Sequence, residues 1–334
     1  MTSPITGRPM HLVKENRCVA FRKEEFEIVF HYYLCEDSGE HFTNTAIDEL
    51  NTNQVYNQYR DRYNIPFPEE ISRIRAKYGL AAVKMSEVLG FGPNTYRLYE
   101  AGEMPSVSNA KLIHLADNPR NFMDMLNSSY ALDQKTIGKL QPQVARMIEE
   151  SDRNMFDNHL KDYLLGAPIA NVYSGYRIPN FNKFAEMVIY FADKLAPFKT
   201  KLNKLLFYAD FLMFKQTAFS ISGVRYRAIE RGPVPSNFNS IFEYMVNARM
   251  IDVNYIPFPQ GYTGEQFTVR DNRPFDKSWF SSPELEIMER VAQKFKDTTA
   301  GDIVEIAHLE QAWKQNHELR KEISYNYAFE LEPV

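Results

Sequence analysis

The stretch K-L-N-K-L-L-F-Y-A-D-F-L-M-F at residues 201–214 decides the reading of this chain. Its apolar side chains do not keep to one stripe but surround the helix. A helix that is hydrophobic nearly all round has to be buried on every side. It is therefore predicted as the centre of a domain, in a helix over 200–215 that follows another over 180–196. Downstream, Ser222-Gly223 turns into a strand at Val224–Glu230, and Arg231-Gly232-Pro233-Val234-Pro235 follows. Ser236 is expected to cap a helix that runs to about Asn247. A hairpin is expected over 251–269 around Gln260-Gly261. Ser281 with Glu284 three places on has the spacing of a capping box. Thr298-Thr299 opens the next helix, with Trp313 near its end.

Upstream, 128–175 reads as a helical connector (Thr136–Ser151, Arg153–Leu165) that ends in Gly166-Ala167-Pro168. Residues 66–127 read as five short helices punctuated by Gly79, Gly90, Gly92-Pro93, Gly102 and Asn118-Pro119, with two of them joined as in a helix-turn-helix. Ile47, Leu50, Val55, Tyr59 and Tyr63 mark a helix over 45–63 that Pro66 stops, and Phe26, Ile28, Phe30 and Tyr32 alternate at strand period before it. The expected class is α+β, mainly α: a small N-terminal antiparallel sheet plus a helix, a five-helix module, and a mostly helical C-terminal domain with a short sheet.

With 334 residues, 44% hydrophobic and 25% charged, the chain has room for two or three cores. No apolar run approaches the roughly 18 residues of a membrane span, and two cysteines cannot frame a disulfide scaffold. A cytoplasmic protein without a membrane partner is expected. The net charge of −4 argues against bulk electrostatic binding of nucleic acid. One local exception stands out: Arg73, Arg75, Lys77, Lys84 and Arg97 face only Glu87 between Ile71 and Tyr99. There is no Gly-rich phosphate loop, no H-E-x-x-H and no G-x-S-x-G, so neither an enzyme nor a cofactor is expected.

Three motifs in order, K-L-N-K-L-L-F-Y-A-D-F at 201–211, Y-R-A-I-E-R-G-P-V-P at 226–235, and Gly301-Asp302 with His308 to Trp313, resemble the SocA-like Panacea antitoxin domain. The resemblance implies an antitoxin domain over 176–334 that neutralises a protein toxin encoded by a neighbouring gene. Lys204, Tyr208, Gly232, Pro233, Pro235 and Trp313 belong to its structural motif. Residues 1–127 resemble an antitoxin of the MqsA type, a zinc-ribbon-like domain (1–65) before a Xre-like helix-turn-helix (66–127). G-F-G-P-N-T-Y-R-L-Y-E-A-G at 90–102 matches that family's recognition region, with Asn94 at a base-contacting position and Tyr99-Glu100 at its Tyr-Glu pair. Leu98 stands where the family has Arg, and Ala81-Ala82 replaces Thr-Gln. Ser3, Thr6 and Ser38 replace zinc ligands beside Cys35, so no metal is expected. The resemblance further implies operator DNA as a partner, through Asn94, Thr95, Tyr96 and Arg97, to which the basic cluster adds Lys84, Arg73 and Arg75 for phosphates, and a homodimer through the helix-turn-helix region. A sensing transcription regulator and a protease adaptor are the alternatives.

Most of these residues admit a second reading. The basic run holds phosphates or is a solvated helical face. Asn94 reads adenine or caps a helix. Tyr226, Arg227 and Arg231 are expected on an exposed loop as partner contacts, since Tyr and Arg dominate interface hot spots. Alternatively, Arg231 pairs with Glu230 or Asp210.

Overall fold

A computed structural model describes residues 1–259, 261–271 and 273–332. The contacts cluster into two compact units, residues 1–58 with 161–334, and residues 59–160. The class is α+β and mostly helical.

The first unit begins with β1 (His11–Phe21) and β2 (Glu24–Leu34), an antiparallel hairpin extended by β3 (His41–Phe42). Its turn is Arg22-Lys23, both at positive φ. Such turns usually carry Asn-Gly or Asp-Gly, which is why only one strand signal was legible in this region. Helix α1 (Thr45–Tyr63) follows, with the bounds its spacing predicts. Several of its polar side chains bind backbone. Asn51 and Gln54 bridge both ways to His31 and Val29 of β2. Asn53 and Asn57 donate to the carbonyls of Thr217 and Ala218 at 3.1 and 2.8 Å. Lys14 reaches the Phe329 carbonyl at 2.6 Å, and the His31 ring packs against Phe329. The N-terminal hairpin and the C-terminal segment therefore share one packing unit.

Helix α10 (Lys199–Thr217) lies at its centre, as the all-round apolar pattern requires. Leu202, Leu205, Leu206, Phe207, Tyr208, Ala209 and Phe211 are fully buried. Around it lie α9 (Phe181–Leu195), α12 (Ser282–Lys294), α13 (Ala300–Leu309) and the short α14 (Gln311–Lys314). The capping box on Ser281 forms, with its amide bonded to Glu284 at 2.8 Å, and Thr299 caps α13. Trp313 lies on α14, because the chain breaks at Glu310 instead of continuing α13. Strands β4 (Tyr226–Ile229) and β5 (Gly232–Pro235) pair antiparallel, and so do β6 (Ile251–Pro257) and β7 (Thr263–Val269). Gln260, expected at the tip of the latter hairpin, lies outside the described residues.

Two local expectations need correction. Gly232–Pro235 is a buried strand, not an exposed loop; the turn is only Glu230-Arg231. Ser236 does not cap α11 (Phe238–Asn247): Asn237, in the left-handed region, takes the N-cap place, and the Ser236 hydroxyl is buried without a hydrogen-bond partner among the described residues. The strand pairing carries the chain past the point at which Ser236 could fold back onto the helix.

The second unit contains α2 (Pro68–Lys77), α3 (Ala82–Leu89), α4 (Thr95–Glu100), α5 (Val107–Asp117), α6 (Pro119–Ser128) and α7 (Gln134–Arg153). Its core joins Ile71, Ile74, Tyr78, Met85, Tyr96, Ile113 and Phe122. Helix α7, read as part of a connector, adds Ile137, Leu140 and Val144 to the same core. Helix α8 (Met155–Leu165) completes the chain order.

Candidate functional site

Strands β4 and β5 run over α10 and bring one buried carboxylate under two motifs. Asp210 is fully buried and accepts from the Ile221 and Ser222 amides at 2.8 Å each, from Ser222 Oγ at 2.6 Å and from Tyr226 Oη at 2.8 Å. Burial pushes its carboxyl up, while these four donors pull the other way. The same burial raises the Tyr226 phenol well above its ordinary value. Tyr226 was expected on the surface, yet it is 0% exposed and its rim packs on Phe207 and Phe211. It ties a strand to the central helix and is not a surface contact. Arg227 and Arg231 are exposed. Arg231 pairs with neither Glu230 nor Asp210, and it has no ion pair among the described residues.

The motif residues have structural causes. Lys204 is 1% exposed, with Nζ 3.0 Å from the Pro233 carbonyl. Burial, and next the Arg231 charge, lowers its ammonium to about 7. The backbone at Gly232 has φ +92°, which demands glycine, and a Cβ there would lie 2.7 Å from Lys204 Cε and displace the end of that side chain. Pro233 and Pro235 fill β5, which is buried along its length. Tyr208 donates to buried Glu310 at 3.2 Å, and burial raises that carboxyl to about 7. Trp313 donates to the Ile229 carbonyl at 2.8 Å, with His308 and His317 stacked on it at 3.8 and 4.1 Å.

Next to Arg231 opens a cleft of about 760 Å³ that the sequence did not reveal. One wall is an aromatic ladder, Phe198 on Phe258 at 5.4 Å and Phe258 on Tyr262 at 4.7 Å. The other wall is the start of α13. Lys199 and Glu265, which also line it, pair at 2.9 Å. The ladder needs Gly264, where a Cβ would lie 2.7 Å from Phe258 Cε2. The only signal for it in the sequence is the aromatic spacing across the hairpin tip, which without a partner strand is indistinguishable from a core pattern.

In the second unit the basic run is largely neutralised. Arg73 forks onto Asp117 at 2.7 and 3.1 Å, and Lys77 joins the same carboxylate at 3.1 Å. Arg75 bonds Glu100 at 2.6 Å, and Lys84 bonds Glu87 at 2.8 Å. Asp117 and Glu100 come from other helices, which is why the count along 71–99 overstated the free charge. Tyr96 is fully buried, with its hydroxyl donated to the Ile71 carbonyl at 2.8 Å. Thr95 is half-buried, while Asn94 and Arg97 are exposed at the start of α4. The Asn94 side chain makes no capping bond.

The four positions aligned with zinc ligands do meet. Ser3, Ser38 and Thr6 surround Cys35, with Thr6 Oγ1 at 3.4 Å from its sulfur. Hydrogen bonds from Ser3, then Ser38 and Thr6, lower this thiol to about 6. One thiolate and three hydroxyls do not match the four N or S donors of structural zinc.

Together these features place a cation with no ion pair among the described residues beside an aromatic cleft, on a scaffold built around one buried helix. Residues 202–314 match the family model described as "Antitoxin SocA-like, Panacea domain". No curated protein and no solved structure matches the chain. Among the described residues no helix is long and apolar enough to cross a membrane.

Proposed function

We propose that this protein is the antitoxin of a toxin–antitoxin pair and neutralises a partner protein toxin by direct, non-catalytic binding through its C-terminal unit. The match of residues 202–314 to the SocA-like antitoxin domain carries this reading. Arg227 and Arg231 are its exposed contact candidates, while Tyr226 supports them from beneath. The test is growth of cells that express the toxin from the neighbouring gene, with and without the full-length protein, joined to co-purification of the pair. Arg231→Ala should keep thermal stability while binding weakens by about 2 kcal/mol, the usual hot-spot threshold. Toxin-arrested growth that the wild-type protein fails to restore would end this reading.

A second reading concerns the helical unit, as a helix-turn-helix that dimerises and represses the operon. What favours it is the free Asn94 side chain beside exposed Arg97 at the start of α4. An Asn that caps nothing is available to bond adenine bidentately. A shift assay on the protein's own promoter at low salt tests it, and equal affinity for unrelated DNA would refute it.

A further inference from the structure

The neutralisation reading leaves the chemistry of the partner open, and the cleft beside Arg231 narrows it. Arg231 presents an exposed guanidinium without an ion pair among the described residues. Directly under the turn lies Lys204, whose side chain passes Gly232 and ends at the Pro233 carbonyl. An ammonium has three N–H groups, and this one has a single acceptor and no carboxylate within ion-pair distance among the described residues. The other buried lysines of this unit are better served. Lys183 bonds Glu284 at 2.7 Å, and Lys201 bonds the carbonyls of Lys296 and Thr298 at 3.1 and 2.7 Å. Below about pH 7, where Lys204 holds its proton, these are two adjacent cations without a counter-ion among the described residues; they repel each other, and burial magnifies the repulsion by lowering the local dielectric.

We propose that the mouth of this cleft seats a carboxylate of the partner toxin, borne on a segment whose apolar side chains lie along the Phe258–Tyr262 ladder. The proposal rests on the neutralisation reading. An incoming carboxylate forms with Arg231 the bidentate pair for which a guanidinium is shaped, and it gains further from the Lys204 ammonium beneath whenever that amine holds its proton. The rest of the cleft selects against a multiply charged occupant. Glu265 is already paired with Lys199, and Glu305 lines the cleft outside any ion pair among the described residues. A phosphate or nucleic-acid backbone would meet that carboxylate as well as Arg231. A protein segment with one acidic residue among aromatic ones brings a single charge and gathers less of that repulsion. The open ladder supplies its stacking partners.

The full-length protein is titrated calorimetrically at low salt and pH 6, where Lys204 is protonated and the peptide carboxylate ionised, with acetyl-Trp-Glu-Phe-amide, with the matching Gln peptide, and with inorganic phosphate. The Glu peptide should bind at least tenfold tighter than the Gln peptide. The preference should vanish in Arg231→Gln, whose melting temperature stays that of the wild type, and should shrink in Lys204→Met. Equal binding of the two peptides, no binding of either, or tighter binding of phosphate overturns the proposal. In cells, Arg231→Glu should abolish protection against the toxin, and selected toxin variants that restore it should exchange an Asp or Glu for Lys or Arg. If the wild type protects and Arg231→Glu protects equally, the carboxylate seat fails while neutralisation stands. If the Glu peptide is preferred but the wild type gives no protection, neutralisation fails and the seat stands.

Discussion

Replacing Lys204 by Met tests how the buried centre of the C-terminal unit is electrostatically balanced. The stem of the lysine packs against the Gly232 turn, and Met preserves most of its length while removing the charge. The amine falls from 10.5 to about 7 in the folded protein. Each tenfold change in proton affinity is worth about 1.4 kcal/mol, so the charged form destabilises the fold by roughly 5 kcal/mol below pH 7. Met also loses the hydrogen bond to Pro233 and leaves that carbonyl unpaired, at a cost of about 1–3 kcal/mol. The variant should therefore be more stable than the wild type by about 2–4 kcal/mol at pH 6. The sign follows from proton counting. Between about 7 and 10.5 the unfolded chain holds the proton and the folded one does not, so wild-type stability rises with pH across that window. The advantage of Met should shrink over the same window. Urea unfolding followed by tryptophan fluorescence suits the measurement, since Trp279 and Trp313 both belong to the unit that contains Lys204. A Met variant less stable than the wild type at pH 6, or a gap that ignores pH, would refute the reasoning.

Other consequences are equally direct. Tyr226→Phe removes one of the donors that hold buried Asp210 and should cost about 1–3 kcal/mol in urea unfolding, whereas Arg227→Ala should leave stability within about 0.5 kcal/mol. Because the Cys35 thiol is depressed, its contribution to stability is fully present above about 9 and is lost as pH falls through about 6; denaturation midpoints of the wild type should fall over that range and those of Cys35→Ser should not. Asp117→Asn releases Arg73 and Lys77 from their shared partner, so in a fluorescence titration it should strengthen binding to any DNA, while Asn94→Ala should cost about 1–3 kcal/mol of promoter preference only. A fragment of residues 161–334 lacks the bonds from Lys14, Asn53 and Asn57 and should melt below the full chain in calorimetry.

The helical framework was written in local pattern. Residues 45–63 and 201–214 announce their helices because side-chain spacing reports one face, or all faces, of a single element. Gly90, Ser281 with Glu284, and Thr299 mark helix ends because capping is satisfied within a few residues. The motif that matches the antitoxin domain was legible for the same reason. Its three stretches lie on α10, on the β4–β5 hairpin, and on α13 with α14, each shaped locally.

What the sequence could not decide was which charges are free and which surfaces are shared. Arg73 and Arg75 are answered by carboxylates 44 and 25 residues away. Tyr226 finds Asp210 on another element and turns inward. The hairpin at Arg22-Lys23 depends on a backbone conformation that those residues do not advertise. The cleft at Arg231 exists only because two hairpins and the start of α13 converge there. Local sequence determines elements because backbone bonding and capping are short-range. Charge pairing, burial and concavity are set by neighbours in space, so in this protein the tertiary structure alone left Arg231 without an ion pair among the described residues, at the mouth of an aromatic cleft.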